Sequence, residues 1–524
     1  MAFESDGTNL IAFDSNGGFR DIFVRDLVAG TTEVVSVNSS GVQSYWNCYA
    51  PSISADGTRV VFHSAADNLV LGDTNVLDDV FLHDRVTGMT ELVSQSSSGV
   101  FGADRSFNAR IAPNGDVVAF ESNSTNLVPG DTNGFGDVFA RVSSAGTTEI
   151  VSVTSSGAQA NSVSFQPTLS ADGRYIAFTS FATNLVVPDV NGGLGDVFVR
   201  DRSLGTTELI SKSTANIQGA KVSAVGSISA DGRFVAFQSE ATNLVLGDTN
   251  SRMDIFVRDR DAGTTRRVSV STTGIQANDG SYGPFVTADG RFVAFSSYAT
   301  NLIAGDTNTA ADVFVHNVST GSLDLASIGN SGALPNQSSF AGGISSDGRR
   351  VVFESSATNL VVPDTNGSWV DVLLRDRGAP PTPQNYCLGK ANSLGCMPLL
   401  TFTGAPSASA GSGFGIQASN VLNQRLGVIL YSEVGSWLAP FAGGTLCVAI
   451  PLERGPWTFS AGNPPPNDCS GNLTFDFNVF IAGGADPSLV AGQQVWLQVW
   501  TRDPGFAGPD NIGLTEALTF VIGS

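Results

Sequence analysis

Through the first 377 residues, apolar side chains come in short alternating runs separated by turn-forming residues, and the whole pattern recurs every 58 or 59 residues. One unit reads SADGRFVAFQSEATNLVLGDTNSRMDIFVRDRDAGTTRRVSV from Ser229 to Val270. A short apolar run precedes Ala-Asp-Gly-Arg. Phe-Val-Ala-Phe, a polar stretch, Asp-Ile-Phe-Val-Arg-Asp, a Gly-Thr-Thr turn and Arg-Val-Ser-Val follow it. Period-two alternation over so few residues predicts strands, four to a unit. A repeat this long and regular predicts a single architecture built by stacking.

Between the first and second strands stand Asp56-Gly57, Asn114-Gly115, Asp172-Gly173, Asp231-Gly232, Asp289-Gly290 and Asp347-Gly348. These dipeptides favour type I′ hairpins. Four antiparallel strands per unit, with no helical period between them, predict the blades of a seven-bladed β-propeller. Phe3, Phe62, Phe120, Phe178, Phe237, Phe295 and Phe353 hold one position of the repeat. Phe23, Phe81, Phe139, Phe198, Phe256 and Phe314 hold another, with Leu373 in the seventh unit. An aromatic stack between blades is their expected role.

Met1 falls within the second strand of a unit, and no fourth strand follows Arg377, so both terminal blades are expected to be incomplete. Two three-stranded blades could close the ring; a segment upstream of Met1, which could also carry a secretory signal, is the favoured explanation. The Pro-rich stretch 378–385 ends the repeat, and 386–524 reads as a second, all-β domain. Its strand candidates start at Gly427, Gly444, Leu473, Gln494 and Ala517 and suggest a small antiparallel sandwich.

Lys and Arg total 27 against 48 acidic residues, for a net charge of −21. Nucleic acid and anionic membrane are thereby disfavoured as partners, and no apolar run approaches transmembrane length. Four of the five cysteines, Cys387, Cys396, Cys447 and Cys469, lie in the second domain. Neighbour pairing, Cys387 with Cys396 and Cys447 with Cys469, is the simplest of three connectivities and implies an oxidising compartment. Zinc competes, but the spacing is wrong for ligand pairs and the domain has no His. Cys48 reads as a buried free thiol, with pairing outside this chain as the alternative.

The candidate chemistry lies in the loops. In a propeller the loop between strands two and three and the loop between blades emerge on one face, and here both are long, so ligands are expected there. Each first loop carries Asp-x-Asn, a short spacer and a further Asp. The seven sets are Asp14, Asn16, Asp21; Asp73, Asn75, Asp79; Asp131, Asn133, Asp137; Asp189, Asn191, Asp196; Asp248, Asn250, Asp254; Asp306, Asn308, Asp312; and Asp364, Asn366, Asp371. Hard oxygen ligands at alternate positions suit Ca²⁺, although the rest of an EF-hand is missing. The competing reading is turn chemistry, in which Asp and Asn fold back on their own backbone. The recurrent Asn of Thr-Asn-Leu, at Asn126, Asn184, Asn243, Asn301 and Asn359, and Asn68 without the Thr, is expected to serve the same turn.

Tyr45, Trp46, Tyr49, Phe101, Phe107, Phe165, Tyr282 and Phe340 fall in the segments between blades, which differ from unit to unit. They could stack on sugars or grip a peptide, or tuck beneath their own loops. His63, His83 and His316 read as surface substitutions, and no nucleophile elbow, metalloprotease or phosphate-loop motif is present. Seven near-identical carboxylate sets argue for structure over catalysis.

Ser-x-Asp-Gly-Arg-x-[Val/Ile]-Ala-Phe followed by Asp-[Val/Ile]-Phe-Val-Arg-Asp resembles the TolB-like, WD-like propeller repeat of bacterial proteins across residues 1–377. The Asn-Leu-Val-x-Gly-Asp-Thr-Asn insertion is similar to that of large secreted or cell-surface bacterial propellers. TolB's own N-terminal domain has no counterpart here, so its envelope role is not carried over. Tyr386 to Cys396, with Gly443 to Cys447, resembles a terminal module of secreted bacterial proteins. These resemblances imply a non-enzymatic extracellular or envelope-facing binding protein, calcium being the cofactor that the loop spacing suggests and a protein or carbohydrate the partner. A polysaccharide lyase or glycosidase is the alternative, for which a His, Arg and acidic cluster should line the central funnel, and a periplasmic Tol-type adaptor is a third.

Overall fold

The computed structural model describes residues 1–329, 332–377, 384–386, 390–407, 409–433, 436–441, 444–449, 451–464, 466–484, 486–489, 493–505 and 512–522. The chain divides into two compact units, Met1–Asp376 and Arg377–Ser524.

The first unit consists of seven antiparallel sheets, the blades of a β-propeller. Five have four strands in sequence order, and the first and last have three. Sheet two shows the plan: Cys48–Ile53, Arg59–Ser64, Asp79–Asp84 and Met89–Leu92 pair in turn. The first strands of successive sheets lie against one another and so form the inner wall. Short alternating runs favour this arrangement because each sheet buries both faces between two neighbours.

Two features of the blades differ from expectation. The repeated Phe residues do not stack from blade to blade. They pair across strands within one sheet, as Phe62 and Phe81 do at 5.9 Å and Phe237 and Phe256 at 5.6 Å. Each pair then packs on aliphatic side chains of the preceding sheet: Phe62 and Phe81 on Ile22 and Val24, Phe120 and Phe139 on Val61, Val80 and Leu82. Flat rings on one face meet small branched residues on the other, which fills the wedge between sheets without matching ring to ring. The Asp-Gly turns also depart from type I′. Gly57 alone takes positive φ, at 72°, and donates to Ser54 O at 2.9 Å. Asp56 keeps ordinary backbone angles because its carboxylate accepts from Ser54 Oγ and Thr58 N, giving a type I turn closed by glycine.

In the last sheet, three-stranded among the described residues, the third strand is more open than its counterparts. Val372 is 38% exposed, whereas its counterparts Val80, Val138, Val197, Ile255 and Val313 are at 0%.

In the second unit, Leu399–Thr403, Gly415–Val421 and Gly471–Asp476 form one sheet. Gln384–Tyr386, Ile512–Val521, Gln494–Arg502, Leu426–Ser432 and Glu453–Phe459 form another. Ile416, Ala418 and Phe475 of the first face Ile429, Leu497 and Phe520 of the second in one core, as a sandwich requires. The run from Leu473, expected as a strand throughout, turns helical at Phe477–Ala482, because the Asp476 carboxylate caps Asn478 N and Val479 N.

Neighbour pairing of the cysteines is corrected. Cys396 is joined to Cys469, with Cα atoms 6.4 Å apart. Each lies just before a strand that flanks Gly415–Val421, so the two strand starts meet at the same end of the sheet. Cys447 is also disulfide-bonded, and Cys387 lies outside the described residues. Cys48 is a buried free thiol whose pKa burial pushes up to about 12.

Candidate functional site

Two sets of residues occupy the long-loop end of the propeller. The first comprises the Asp-x-Asn loops. In sheet four, the Asp196 carboxylate opens the third strand, is buried, and accepts from Ser211 Oγ at 2.6 Å, Gln218 Nε2 at 2.7 Å and Asn191 Nδ2 at 2.8 Å. Ser211 Oγ in turn accepts from Val197 N at 3.1 Å. Asp189 begins the loop with an Asx-turn to Asn191 N at 3.1 Å and also accepts from Gln218, at 3.0 Å. The same Ser-to-Asp bond recurs as Ser36–Asp21, Ser94–Asp79, Ser152–Asp137, Ser269–Asp254 and Ser327–Asp312. Asn side chains reach the inner carboxylate in six blades, from Asn16, Asn75, Asn133, Asn191, Asn308 and Asn366. A buried carboxylate surrounded by neutral donors remains hard to ionise. Burial pushes Asp79, Asp137 and Asp312 up to about 6, and raises Asp21, Asp196 and Asp254 as well.

Two participants went unnoticed in the sequence, the Ser of the fourth-strand end and the Gln of the blade-to-blade loop. Both were legible by the same period: Ser36, Ser94, Ser152, Ser211, Ser269 and Ser327, and Gln43, Gln159, Gln218 and Gln276. The Asn of Thr-Asn-Leu acts elsewhere than expected. Asn184 Nδ2 donates to Gln159 O at 2.8 Å while its Oδ1 accepts from Asn161 N at 3.0 Å, so it ties its own loop to the incoming blade-to-blade segment.

For a cation, the relevant test is which atoms face the carboxylates. In most blades the Asn presents its amide nitrogen, the geometry of a hydrogen-bonded lock. Sheet five differs: Arg267 stands where other sheets have Leu92, Ile150, Leu209 or Leu325, and its Nη1 lies 3.5 Å from both Asp248 and Asp254. A positive charge is therefore accommodated between the two carboxylates of this loop.

The second set is the inner wall. Of the aromatic candidates, Tyr45 and Trp46 are exposed in one blade-to-blade segment and Phe101 is half-buried in the next. The other five are not in loops. Tyr49, Phe107, Phe165, Tyr282 and Phe340 each take the second position of an inner strand, and Ala224 takes it in sheet five. They pair across to His63, Glu121, Thr179, Ser296 and Glu354. A bulge follows in every inner strand, and Ala50, Asn108 and Gln166 there adopt positive φ of 51°, 50° and 54°. Backbone held in this region is costly for residues other than glycine and re-aims the side chains around it.

In several blades the second-strand side chain at this level secures the bulge of the next blade. Glu4 accepts from Ala50 N at 2.8 Å, Glu121 from Gln166 N at 2.8 Å, Thr179 from Val225 N at 3.0 Å and Gln238 from Gly283 N at 2.9 Å. Around sheets two and three the wall becomes chemically distinct. Tyr49 stacks on His63 at 5.5 Å, His63 meets the edge of Phe107 at 6.4 Å, and Arg20 lies over Tyr49 at 5.5 Å. His63 is half-buried with Nδ1 lacking a hydrogen-bond partner among the described residues, and burial pushes its pKa down to about 4. Arg110 belongs to the same inner strand as Phe107. The three His are thus not surface substitutions: His83 and His316 are buried, and His83 Nδ1 lies 2.9 Å from Thr90 Oγ1.

No family model matches the chain, and no curated protein matches it. Among solved structures it is similar to a TolB of Agrobacterium tumefaciens, at 16% identity and a TM-score of 0.35 over 58% of this chain and 87% of that one. It is also similar to the β-propeller domain of the Trilobed protease from Pyrococcus furiosus, at 10% identity and a TM-score of 0.41 over 68% of this chain and 88% of that one. Acylaminoacyl peptidase of Pyrococcus horikoshii is similar at 8% identity and a TM-score of 0.40, over 78% of this chain and 55% of that one.

Proposed function

We propose that the chain is a non-enzymatic binding propeller of the cell exterior or envelope, taking its ligand on the inner wall at the long-loop end. The observation that supports this reading is the register: five inner strands present an aromatic ring at one position, followed by a bulge that displays the next side chain. Rings repeated around one opening offer stacking faces, whereas a catalytic group is needed once. The Cys396–Cys469 disulfide supports an oxidising compartment. The test is binding of the whole chain to glycan and peptide arrays, with Tyr49→Ala/Phe107→Ala/Phe165→Ala as the comparison. Loss of retention at unchanged thermal stability supports the reading, and undiminished retention removes it.

A second reading concerns calcium as a stabiliser of the Asp-x-Asn loops. It is favoured by Arg267, which brings a cation to a carboxylate pair that the other blades share. Asp and Asn would hold the ion through oxygen once the Asn amide turned over. Thermal unfolding after chelation and again with added Ca²⁺ tests it: a fall and its restoration support bound metal, and superimposable curves leave the hydrogen-bonded lock as the whole account.

A further inference from the structure

Arg110 is the one charged residue of the six inner strands, and Arg141, Arg200 and Arg258, which also lack a carboxylate within 4 Å, donate instead to backbone carbonyls and Thr hydroxyls. Arg59, Arg174, Arg233 and Arg349 each meet a carboxylate within 4 Å, as do Arg202 and Arg260. Arg110 meets none among the described residues, where its one hydrogen bond runs from Nη1 to the carbonyl of its neighbour Ala109 at 3.1 Å. Solvent reaches the side chain, yet protein surrounds it closely enough that desolvation lowers its pKa. The adjacent Glu121 acts on Arg110 through its charge without bonding to it, and accepts instead from Asn108 Nδ2 at 3.0 Å and Gln166 N at 2.8 Å.

We propose that Arg110, with the rings of Tyr49, His63 and Phe107, forms a subsite for an acidic saccharide, the guanidinium taking a uronate carboxylate while the rings take sugar faces. This rests on the binding reading above and specifies its ligand class. A guanidinium without a protein carboxylate has its planar fork free for a bidentate carboxylate. Phe107 and Arg110 are three positions apart on one strand, about 10 Å at most, a span that two linked sugar rings cover. The bulge residues Asn108 and, in the next sheet, Gln166 supply an amide oxygen and an amide nitrogen for hydroxyls, whereas a peptide groove would call for a continuous apolar trough or a free strand edge. In a chain of net charge −21, an unpaired inner-wall cation also selects for one well-placed anionic group over a dense polyanion.

The experiment is calorimetric titration of the whole chain with trigalacturonate and with its methyl ester, which keeps the rings and hydroxyls but has no charge. The expected result is at least tenfold tighter binding of the acid, lost in Arg110→Gln and partly kept in Arg110→Lys, with unfolding temperatures unchanged. Equal binding of acid and ester, or equal binding by wild type and Arg110→Gln, overturns the subsite. Equal binding that nonetheless disappears in Tyr49→Ala/Phe107→Ala leaves the aromatic binding reading standing. Absence of binding by either probe overturns the acidic-saccharide assignment, while the array experiment separately decides the broader reading.

Discussion

The Asp-x-Asn loops and the inner wall lie at the same end of the same sheets, yet they use polar groups in opposite ways. In the loops, Asp196 is met by three donors, and the Ser that supplies one of them is itself bonded to backbone. On the wall, among the described residues, Arg110 has one hydrogen bond, to its own strand, and His63 Nδ1 has none. The loops are copied from blade to blade, and the wall keeps its rings but changes its charges from blade to blade. Copying fits a task that every blade shares, which is closure of the turn. Divergence fits a task performed once for the molecule.

The comparison can be broken first at the lock. Asp196→Ala removes the acceptor for three donors in a buried site, and unpaired buried donors cost about 1–3 kcal/mol each. Relief of the buried carboxylate and entry of water offset part of this, leaving an expected loss of about 3 kcal/mol in urea unfolding. Asp371→Ala, in the last sheet where Asn366 donates from an exposed position, is the internal control and should cost about 1 kcal/mol or less. Equal losses at the two sites would show that the lock contributes no more buried than exposed.

The second unit offers a cross-link in place of a repeated lock. Cys396→Ser/Cys469→Ser opens a loop of 73 residues and is expected to cost about 2–4 kcal/mol. The change should appear in the unfolding of that unit and leave the propeller transition in place. A shift of the propeller transition alone would contradict this assignment.

The fold was legible because a 58- or 59-residue period is imposed by the geometry of stacking, which each unit satisfies in the same way. Half of the lock was legible for the same reason, and Ser211 and Gln218 were missed because they belong to other segments of the unit than the Asp motif. The wall was less legible. Tyr49 and Phe107 read as loop residues, since the bulges after them interrupt the strict alternation that marks a strand. His63 and Arg110 come from different blades and from strands one and two, so only the packing of one sheet on the next brings them together. The disulfide was missed for a similar reason, its partners being neighbours across a sheet and not along the chain.

Acid titration sharpens the contrast between buried carboxylates and buried imidazoles. Asp79, Asp137 and Asp312 titrate at about 6 in the folded chain, above the ordinary carboxylate value, so the folded state holds more protons between pH 4 and 6 and these groups add stability as pH falls through 6. His63 and His316, held down to about 4, act in the opposite sense: the unfolded chain takes up their protons below about pH 6.5, and stability is lost as pH falls from there toward 4. In His63→Gln/His316→Gln the opposing contribution is reduced, and thermal stability is expected to rise between pH 7 and 5 by about 1 kcal/mol per lock carboxylate. Adding Asp79→Asn, Asp137→Asn and Asp312→Asn should flatten that rise. A rise that survives all three Asn substitutions would place the titrating groups elsewhere.

The smallest expected effect on stability falls on the wall itself. Tyr282 is 39% exposed and meets Tyr298 edge-on at 6.2 Å, and Tyr298 in turn meets Phe340 at 6.3 Å. Truncating Tyr282 to Ala removes one exposed ring contact, and surface changes of this kind stay within about 0.5 kcal/mol. Retention on a ligand array is expected to fall nonetheless, because the ring supplies a stacking face and not a core contact. A loss well above that range would class the ring with the packing of its own blade, and the wall would then differ from the loops in position alone.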